Sequence, residues 1–296
     1  MVRFVRFLTF TTLALALLVA PLFGGDDNNL TYLALGDSIA FGFNPLLLPP
    51  YKAVPPFPTP NEFIGYPETV EQFERLLHSE QEINASCPGE TSGSFLNVAA
   101  PDNGCHGSQG FKTLVGLHTT YNGSQAAFAV AQLATNKGIN LVTLDIGGND
   151  LLLLEQRCAN PNSALFAACV EADLPGVLGS YGANLTTILE DIRTHYQGTL
   201  IVVKSYAPSA DPLFIAAIEA LNTVMVQVGA NFGVKFADAF TAFQIASFPF
   251  GGDPCRAGLL IRLSPPLTSP LSCDVHPSPL GRDILAATVL AANGYR

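Results

Sequence analysis

Residues 33–42 read Leu-Ala-Leu-Gly-Asp-Ser-Ile-Ala-Phe-Gly. An apolar run ends at Gly36-Asp37-Ser38 and helix-forming residues follow, which predicts a buried strand, a tight turn and a helix that begins near Ser38. Backbone N–H groups converge at the first turn of a helix, where the helix dipole favours negative charge. A serine there is suited to be a nucleophile whose oxyanion the N–H groups stabilise. Alone, the tripeptide is weak evidence, because an ordinary strand-to-helix turn has the same pattern.

The N-terminal segment has the pattern of a secretion signal. Arg3 and Arg6 precede an apolar stretch that ends in small residues such as Ala20. The stretch is short for a membrane span. We therefore predict that residues 1–24 are a signal peptide and that residues 25–296 form one α/β domain. An uncleaved N-terminal anchor is the alternative.

Composition excludes several kinds of partner. The formal net charge is −10 at pH 7, and residues 1–24 contain two arginines and no acid, so the chain without them carries −12. A nucleic-acid partner would require a basic face. The charge also argues against strong attraction to anionic membranes. We expect no further apolar run able to span a bilayer.

Strands and helices alternate along the chain. We predict strands at 30–35, 140–146, 199–206 and 233–237, a strand end at 95–99, and helices at 66–78, 119–137, 174–196, 211–232 and 279–292. This order indicates a parallel sheet covered on both faces, with ligands beyond the carboxyl ends of its strands. The proline-rich residues 45–60 form a loop that lines an acyl pocket, acts as a lid or packs on the surface.

Six cysteines in an exported chain suggest disulfides. Fifteen pairings are formally allowed, and the sequential one closes three short loops. The sequence has no CxxC motif and no His/Cys cluster at zinc spacing, so we expect no structural metal.

Three other segments supply groups that would act with Ser38. Gly89 follows a proline and lets the backbone approach a ligand, although a turn glycine would look the same. Asn149 follows a predicted strand and Gly147-Gly148, and its amide suits an oxyanion hole as well as a turn. His276 lies just before a helix with Asp274 nearby, which would fix its tautomer. A lone histidine beside a proline is also a common structural feature.

These segments together resemble the SGNH, or GDSL, hydrolase family. Its four blocks occur in order as Gly36-Asp37-Ser38, Gly89, Gly147-Gly148-Asn149-Asp150 and Asp274-Val275-His276-Pro277. The resemblance implies a three-layer α/β/α sandwich with a flavodoxin-like parallel sheet over residues 25–296.

The resemblance also implies roles for the motif residues. Ser38 would be the nucleophile and His276 the general base and then the acid. The oxyanion hole would consist of the Ser38 N–H, the Gly89 N–H and the Asn149 side chain. Secreted esterases of this family carry sequential disulfides, which would correspond here to Cys87–Cys105, Cys158–Cys169 and Cys255–Cys273.

The chain departs from the family pattern at the acid. The family's acid usually stands three residues before the histidine, where this chain has Cys273. Asp274 stands two residues before His276, so either Asp274 or a backbone carbonyl would orient the imidazole. The Gly-x-Ser-x-Gly signature of ordinary α/β-hydrolases is absent.

The sequence therefore predicts a secreted or periplasmic serine ester hydrolase. We expect it to cleave lipid or short- to medium-chain acyl esters through an acyl-Ser38 intermediate, as a monomer, without a cofactor and with transient contact to lipid surfaces. A carbohydrate O-acetyl esterase is one alternative. A non-catalytic binding protein on the same fold is another.

Overall fold

The computed structural model describes residues 30–77, 80–263 and 272–295. The predicted signal segment, residues 1–24, lies outside the described residues. The main sheet has five parallel strands: β1 (Leu30–Gly36), β2 (Glu80–Asn84), β3 (Ile139–Asp145), β4 (Thr199–Val203) and β5 (Lys235–Ala237). Their order is β2-β1-β3-β4-β5, which is the flavodoxin-like order expected. The carboxyl ends of β1 and β3 therefore lie side by side.

Helices cover both faces of this sheet. They are α1 (Ser38–Phe41), α2 (Tyr66–Leu77), α3 (Ser92–Leu96), α4 (Phe111–Leu114), α5 (Gln125–Thr135), α6 (Gly148–Cys158), α7 (Ser163–His195), α8 (Pro212–Gly229), α9 (Ala239–Ser247) and α10 (Pro279–Asn293). A separate antiparallel pair is formed by β6 (Leu260–Arg262) and β7 (Cys273–Pro277).

Alternate strand residues build two cores, as the pleat requires. Leu33 and Leu35 of β1 lie in one core with buried residues of α5, α7 and α8. Tyr32 and Ala34 lie in the other with buried residues of α2, α9 and α10. The predicted three-layer α/β/α sandwich is confirmed.

Several predicted elements differ from the structure. Residues 95–99 are not a strand end, because Thr91 and Ser94 form a capping box that starts the short helix α3. The helix expected at 119–137 begins only at Gln125, after its N-cap Ser124. The helix expected from Leu174 begins earlier, at Ser163, and contains Pro175.

The expectation that no further apolar run could span a bilayer is also wrong. By length and composition, Pro212–Phe232 is long and apolar enough to cross a membrane. Within the domain, Leu221 and Met225 of this stretch are buried in the first core.

The six cysteines form three disulfides in sequential order. They are Cys87–Cys105, Cys158–Cys169 and Cys255–Cys273. The second joins α6 to α7, and the third holds the start of β7. The first and third therefore brace segments next to the predicted site residues Gly89 and Asp274.

Candidate active site

Ser38 is the first residue of α1, directly after β1. The Asp37 carboxyl caps this one-turn helix by accepting a hydrogen bond from the Ile39 N–H at 2.9 Å. Gly36 has a φ of +143°, and a Cβ there would lie 2.2 Å from the Asp145 carbonyl oxygen. Glycine is thus required for the end of β1 to pass this close to β3. As a result, Ser38 lies at the carboxyl edge of the sheet and is 8% exposed.

The structure brings Ser38 and His276 together across 238 residues of sequence. His276 Nε2 lies 2.8 Å from Ser38 Oγ, within hydrogen-bond distance. His276 Nδ1 is hydrogen-bonded to Asp274 Oδ1, which also accepts the His276 backbone N–H at 3.1 Å. The Tyr206 hydroxyl donates to the Val275 carbonyl at 2.6 Å and holds this strand in place. A serine hydroxyl, an imidazole and a carboxylate thus form a continuous chain of contacts, which is the arrangement that a nucleophile, its base and an orienting acid require.

Strand geometry explains why an acid two residues before the histidine reaches its ring. Asp274 and His276 both lie on β7. Successive side chains on a strand point to opposite faces, so residues two apart share a face. The acid's unusual position is therefore compatible with contact to the imidazole. Among the described residues, the partner found at His276 Nδ1 is Asp274 rather than a backbone carbonyl.

The carboxyl groups of the site differ in their electrostatics. Burial raises the pKa of Asp274, but its hydrogen bond to His276 and the charge of that residue outweigh burial, so the pKa lies below its ordinary value. Burial raises the pKa of Asp37 to about 7, although the hydrogen bond from the Ile39 N–H lowers it. Burial and the charge of Asp37 also raise the pKa of Asp145. Asp274 is therefore ionised at neutral pH, while the Asp37/Asp145 pair tends to hold protons.

Gly89 lies in a tight loop that lines the same cavity as Ser38. Its φ is +88°, and a Cβ would lie 2.4 Å from the Asn103 carbonyl oxygen, so this position requires glycine. Within the described ranges, neither the Ser38 nor the Gly89 backbone N–H donates to a protein acceptor. Both N–H groups are consequently available to a ligand.

Asn149 lies in the first turn of α6 and is 3% exposed. Its Nδ2 donates to the Glu90 carbonyl at 3.0 Å, and its Oδ1 accepts from Asn103 Nδ2 at 3.1 Å. The neighbouring Asp150 accepts from the Ser92 N–H and hydroxyl at 2.9 and 2.6 Å. These bonds attach α6 to the loop that carries Gly89.

Two cavities meet at Ser38 and Asn149. The first, of about 230 Å³, extends between α6, α7 and α8, and its walls include Leu151, Phe166 and Phe214. The second, of about 480 Å³, contains His276 and Gly89. Its remaining lining comes largely from aromatic, aliphatic and proline side chains: Phe43, Leu48, Pro49, Phe57, Pro88, Phe111, Leu114, Val115 and Leu152. The loop at residues 45–60 therefore lines the second cavity.

The structure places beside the site several residues that carry no functional motif in the sequence. His106 Nε2 lies 3.0 Å from Glu90 Oε1, and His118 Nε2 lies 3.0 Å from the Phe41 carbonyl. Gln125 and Asn103 also contact site segments. These contacts join residues distant in sequence and carry no local motif, so no pattern predicted them.

The described residues include three groups of potential metal ligands, and each contains a disulfide-bonded cysteine: Cys87-Glu90-Cys105, Asp102-Cys105-His106 and Cys158-Cys169-Asp173. A thiolate is the form of cysteine that binds a metal. The oxidised cysteines therefore do not suit these groups to metal binding.

The model of the GDSL-like lipase/acylhydrolase family matches residues 34–284. The chain belongs to this family. Its match spans all four sequence blocks, so the resemblance drawn from them is confirmed. No protein of curated function matches the chain significantly.

Solved structures of GDSL-type and related enzymes share the fold. Phospholipase A1 from Streptomyces albidoflavus NA297 is similar at 17% identity and a TM-score of 0.57, covering 89% of this chain and 99% of that one. An extracellular lipase from Streptomyces rimosus is also similar at 17% identity and a TM-score of 0.57, covering 89% of this chain and 99% of that one. An acetylxylan esterase from Geobacillus stearothermophilus has 18% identity and a TM-score of 0.52, covering 90% and 95%. At these identities the likeness establishes the fold alone.

Proposed function

We propose that this GDSL hydrolase cleaves carboxylic esters through an acyl-Ser38 intermediate. The observation that carries the proposal is the contact chain from Ser38 Oγ through His276 to Asp274. His276 removes the Ser38 proton as Oγ attacks the ester carbonyl. It then donates that proton to the departing alcohol and activates water for deacylation. The ionised Asp274 holds the imidazole and stabilises its cationic form.

The oxyanion hole is the second part of the proposal. The N–H groups of Ser38 and Gly89, which have no acceptor in the described part of the chain, would donate to the tetrahedral oxyanion. Asn149 would supply the third donor from its side-chain amide. Mutational loss of one such donor typically lowers kcat about 100- to 1000-fold.

The two cavities support separate binding sites for the alcohol and acyl portions of the ester. The alcohol oxygen must receive its proton from His276, which lines the second cavity. We therefore place the alcohol portion there and the acyl chain in the first cavity. Since an apolar cavity of about 150 Å³ holds benzene, the first cavity of about 230 Å³ would hold an acyl chain of roughly eight to ten carbons.

A p-nitrophenyl ester series from acetate to palmitate tests this proposal, with acetylated xylan beside it. We expect the highest kcat/KM near octanoate or decanoate. Activity confined to the acetylated sugar would favour a carbohydrate O-acetyl esterase. The apolar lining of both cavities speaks against that alternative, because saccharides need many polar partners.

Covalent labelling separates an enzyme from a non-catalytic binding protein. A fluorophosphonate probe should label the wild type and leave Ser38→Ala unlabelled. Absence of labelling in the wild type would favour the binding protein.

We also propose that the chain is secreted, with residues 1–24 removed and residues 25–296 retained as a monomeric hydrolase domain. Three disulfides fit an extracellular or periplasmic compartment. N-terminal sequencing and size-exclusion chromatography of the exported protein test these two statements.

A further inference from the structure

Glu90 follows Gly89 and is completely buried. Its carboxylate accepts hydrogen bonds from Ser94 Oγ at 2.6 Å and Gln125 Nε2 at 3.1 Å, and it lies 3.0 Å from His106 Nε2. A buried carboxylate is costly unless such donors surround it. Three separate segments therefore converge on one side chain.

Gln125 extends this network to the nucleophile. The Gly36 N–H donates to Gln125 Oε1 at 2.6 Å, and Gln125 Nε2 donates to the Gly36 carbonyl at 2.9 Å. The same Nε2 donates to Glu90, so both of its hydrogens are used. Glu90 thus fixes the orientation of the amide that holds the backbone two residues before Ser38.

The backbone of Glu90 extends the network to Asn149. The Glu90 carbonyl accepts from Asn149 Nδ2 at 3.0 Å. Glu90 is also covalently joined to Gly89. This one residue is therefore connected to each of the three segments that carry the proposed oxyanion donors.

We infer that Glu90 is a positioning residue that fixes the relative positions of these three donor segments. The inference rests on the proposed function and adds to it a residue that acts through Gly36, Gly89 and Asn149 without touching substrate. Displacing a catalytic group by about 1 Å can lower a rate roughly a hundredfold. A disturbed Glu90 should accordingly lower kcat more than it changes KM.

Glu90→Gln tests the inference, because it keeps the shape of the side chain but replaces an acceptor oxygen by an NH₂ group. That group would face a donor from Ser94, His106 or Gln125. With p-nitrophenyl butyrate we expect kcat to fall 10- to 100-fold while KM stays within threefold. The rate of fluorophosphonate labelling at Ser38 should fall in parallel, since the phosphonyl oxygen uses the same donors.

Glu74→Gln is the matched control. Glu74 is another buried carboxylate, and it accepts from Asn293 Nδ2 at 3.2 Å and Tyr295 Oη at 2.8 Å, near the C-terminus of α10. Its substitution should lower the melting temperature but leave kcat within twofold. His106→Ala provides a milder variant, should Glu90→Gln fail to fold. It removes one donor, and we expect a three- to tenfold loss of kcat.

The outcomes are distinct. If the wild type hydrolyses the ester and both Glu90→Gln and His106→Ala keep its kcat, Glu90 has no positioning role. Equal kcat losses in Glu90→Gln and Glu74→Gln would contradict the inference, because they would show that general destabilisation causes the loss. A wild type that neither hydrolyses the ester nor is labelled at Ser38 would instead refute the proposed function.

Discussion

Asp274 and His276 share one face of β7, and the described residues place no carbonyl at His276 Nδ1. Asp274→Asn should therefore disrupt the tautomer of His276 in which Nδ1 carries the proton and Nε2 can accept one from Ser38. We expect at least a hundredfold loss of kcat. His276→Ala should lose at least a thousandfold. Both are measured with p-nitrophenyl butyrate. Asp283→Asn, which removes a half-exposed carboxylate paired with Arg282, is the control. Near-wild-type activity of Asp274→Asn would assign the orienting role elsewhere.

Asp37 and Asp145 form a buried acidic pair at the ends of β1 and β3. Burial raises both pKa values, that of Asp37 from its ordinary 3.8 to about 7. Between pH 3.8 and about pH 7 the folded protein therefore binds more protons than the unfolded chain. Stability contributed by these groups therefore falls as pH rises through this window.

Asp145→Asn should weaken that pH dependence. We expect the variant to be more stable than the wild type at pH 8 by on the order of 1–3 kcal/mol, with the gain disappearing near pH 4. Denaturant unfolding at both pH values measures this, and Asp283→Asn serves again as the control. An unchanged pH dependence would show that this carboxyl is solvated or paired in solution.

At the residue scale, sequence predicted the groups that carry a local motif. Ser38, Gly89, Asn149 and His276 lie in short blocks whose order is recognisable without a structure. Glu90 and Gln125 are 35 residues apart, and their hydrogen bond exists only after folding. No periodicity or spacing in the sequence encodes such a contact.

At the scale of elements, burial determines which strands were predictable. β1 and β3 are buried on both faces and read as apolar runs. β2 lies at the edge of the sheet and reads Glu-Gln-Glu-Ile-Asn, a polar pattern that does not predict a strand. The sequence does not predict α6, because this helix starts at Gly147-Gly148, a pair that is typical of a turn.

The disulfides allow a comparison between two elements of the site. Cys255–Cys273 anchors the residue before Asp274, whereas Cys158–Cys169 joins the far end of α6 to α7. Loops of these lengths predict about 3 kcal/mol of stabilisation for each disulfide. Replacing either pair by serine should therefore lower stability by a similar amount.

Their effects on activity should differ. At 25 °C we expect Cys255→Ser/Cys273→Ser to lose at least tenfold in kcat, because β7 carries both Asp274 and His276. Cys158→Ser/Cys169→Ser should stay within threefold, since Asn149 lies at the opposite end of α6. Denaturant melts and ester kinetics measure the two effects. Equal kcat losses at equal stability would show that the β7 anchor has no special role.

At the scale of the whole molecule, exposed apolar side chains lie on the loop that lines the second cavity. Leu46, Tyr51 and Phe57 are 38%, 46% and 41% exposed. Phe57 also lines the cavity, so the loop carries apolar side chains both on its exposed surface and at the proposed alcohol site. The net charge, −12 without residues 1–24, would repel an anionic membrane. From these features we propose a neutral or zwitterionic lipid surface as the transient partner.

Removing that apolar surface should affect only aggregated substrates. We expect Leu46→Ser/Tyr51→Ser to lower hydrolysis of emulsified trioctanoin at least fivefold and to leave soluble p-nitrophenyl butyrate within twofold, because neither side chain lines a described cavity. Phe248→Ser is the control, since Phe248 is 81% exposed but follows α9 and lines neither cavity. Adding anionic lipid to the emulsion should slow the wild type at low salt, and salt should restore the rate through screening. Equal losses in the double variant and in Phe248→Ser would show that general surface hydrophobicity, rather than this loop, governs contact with lipid.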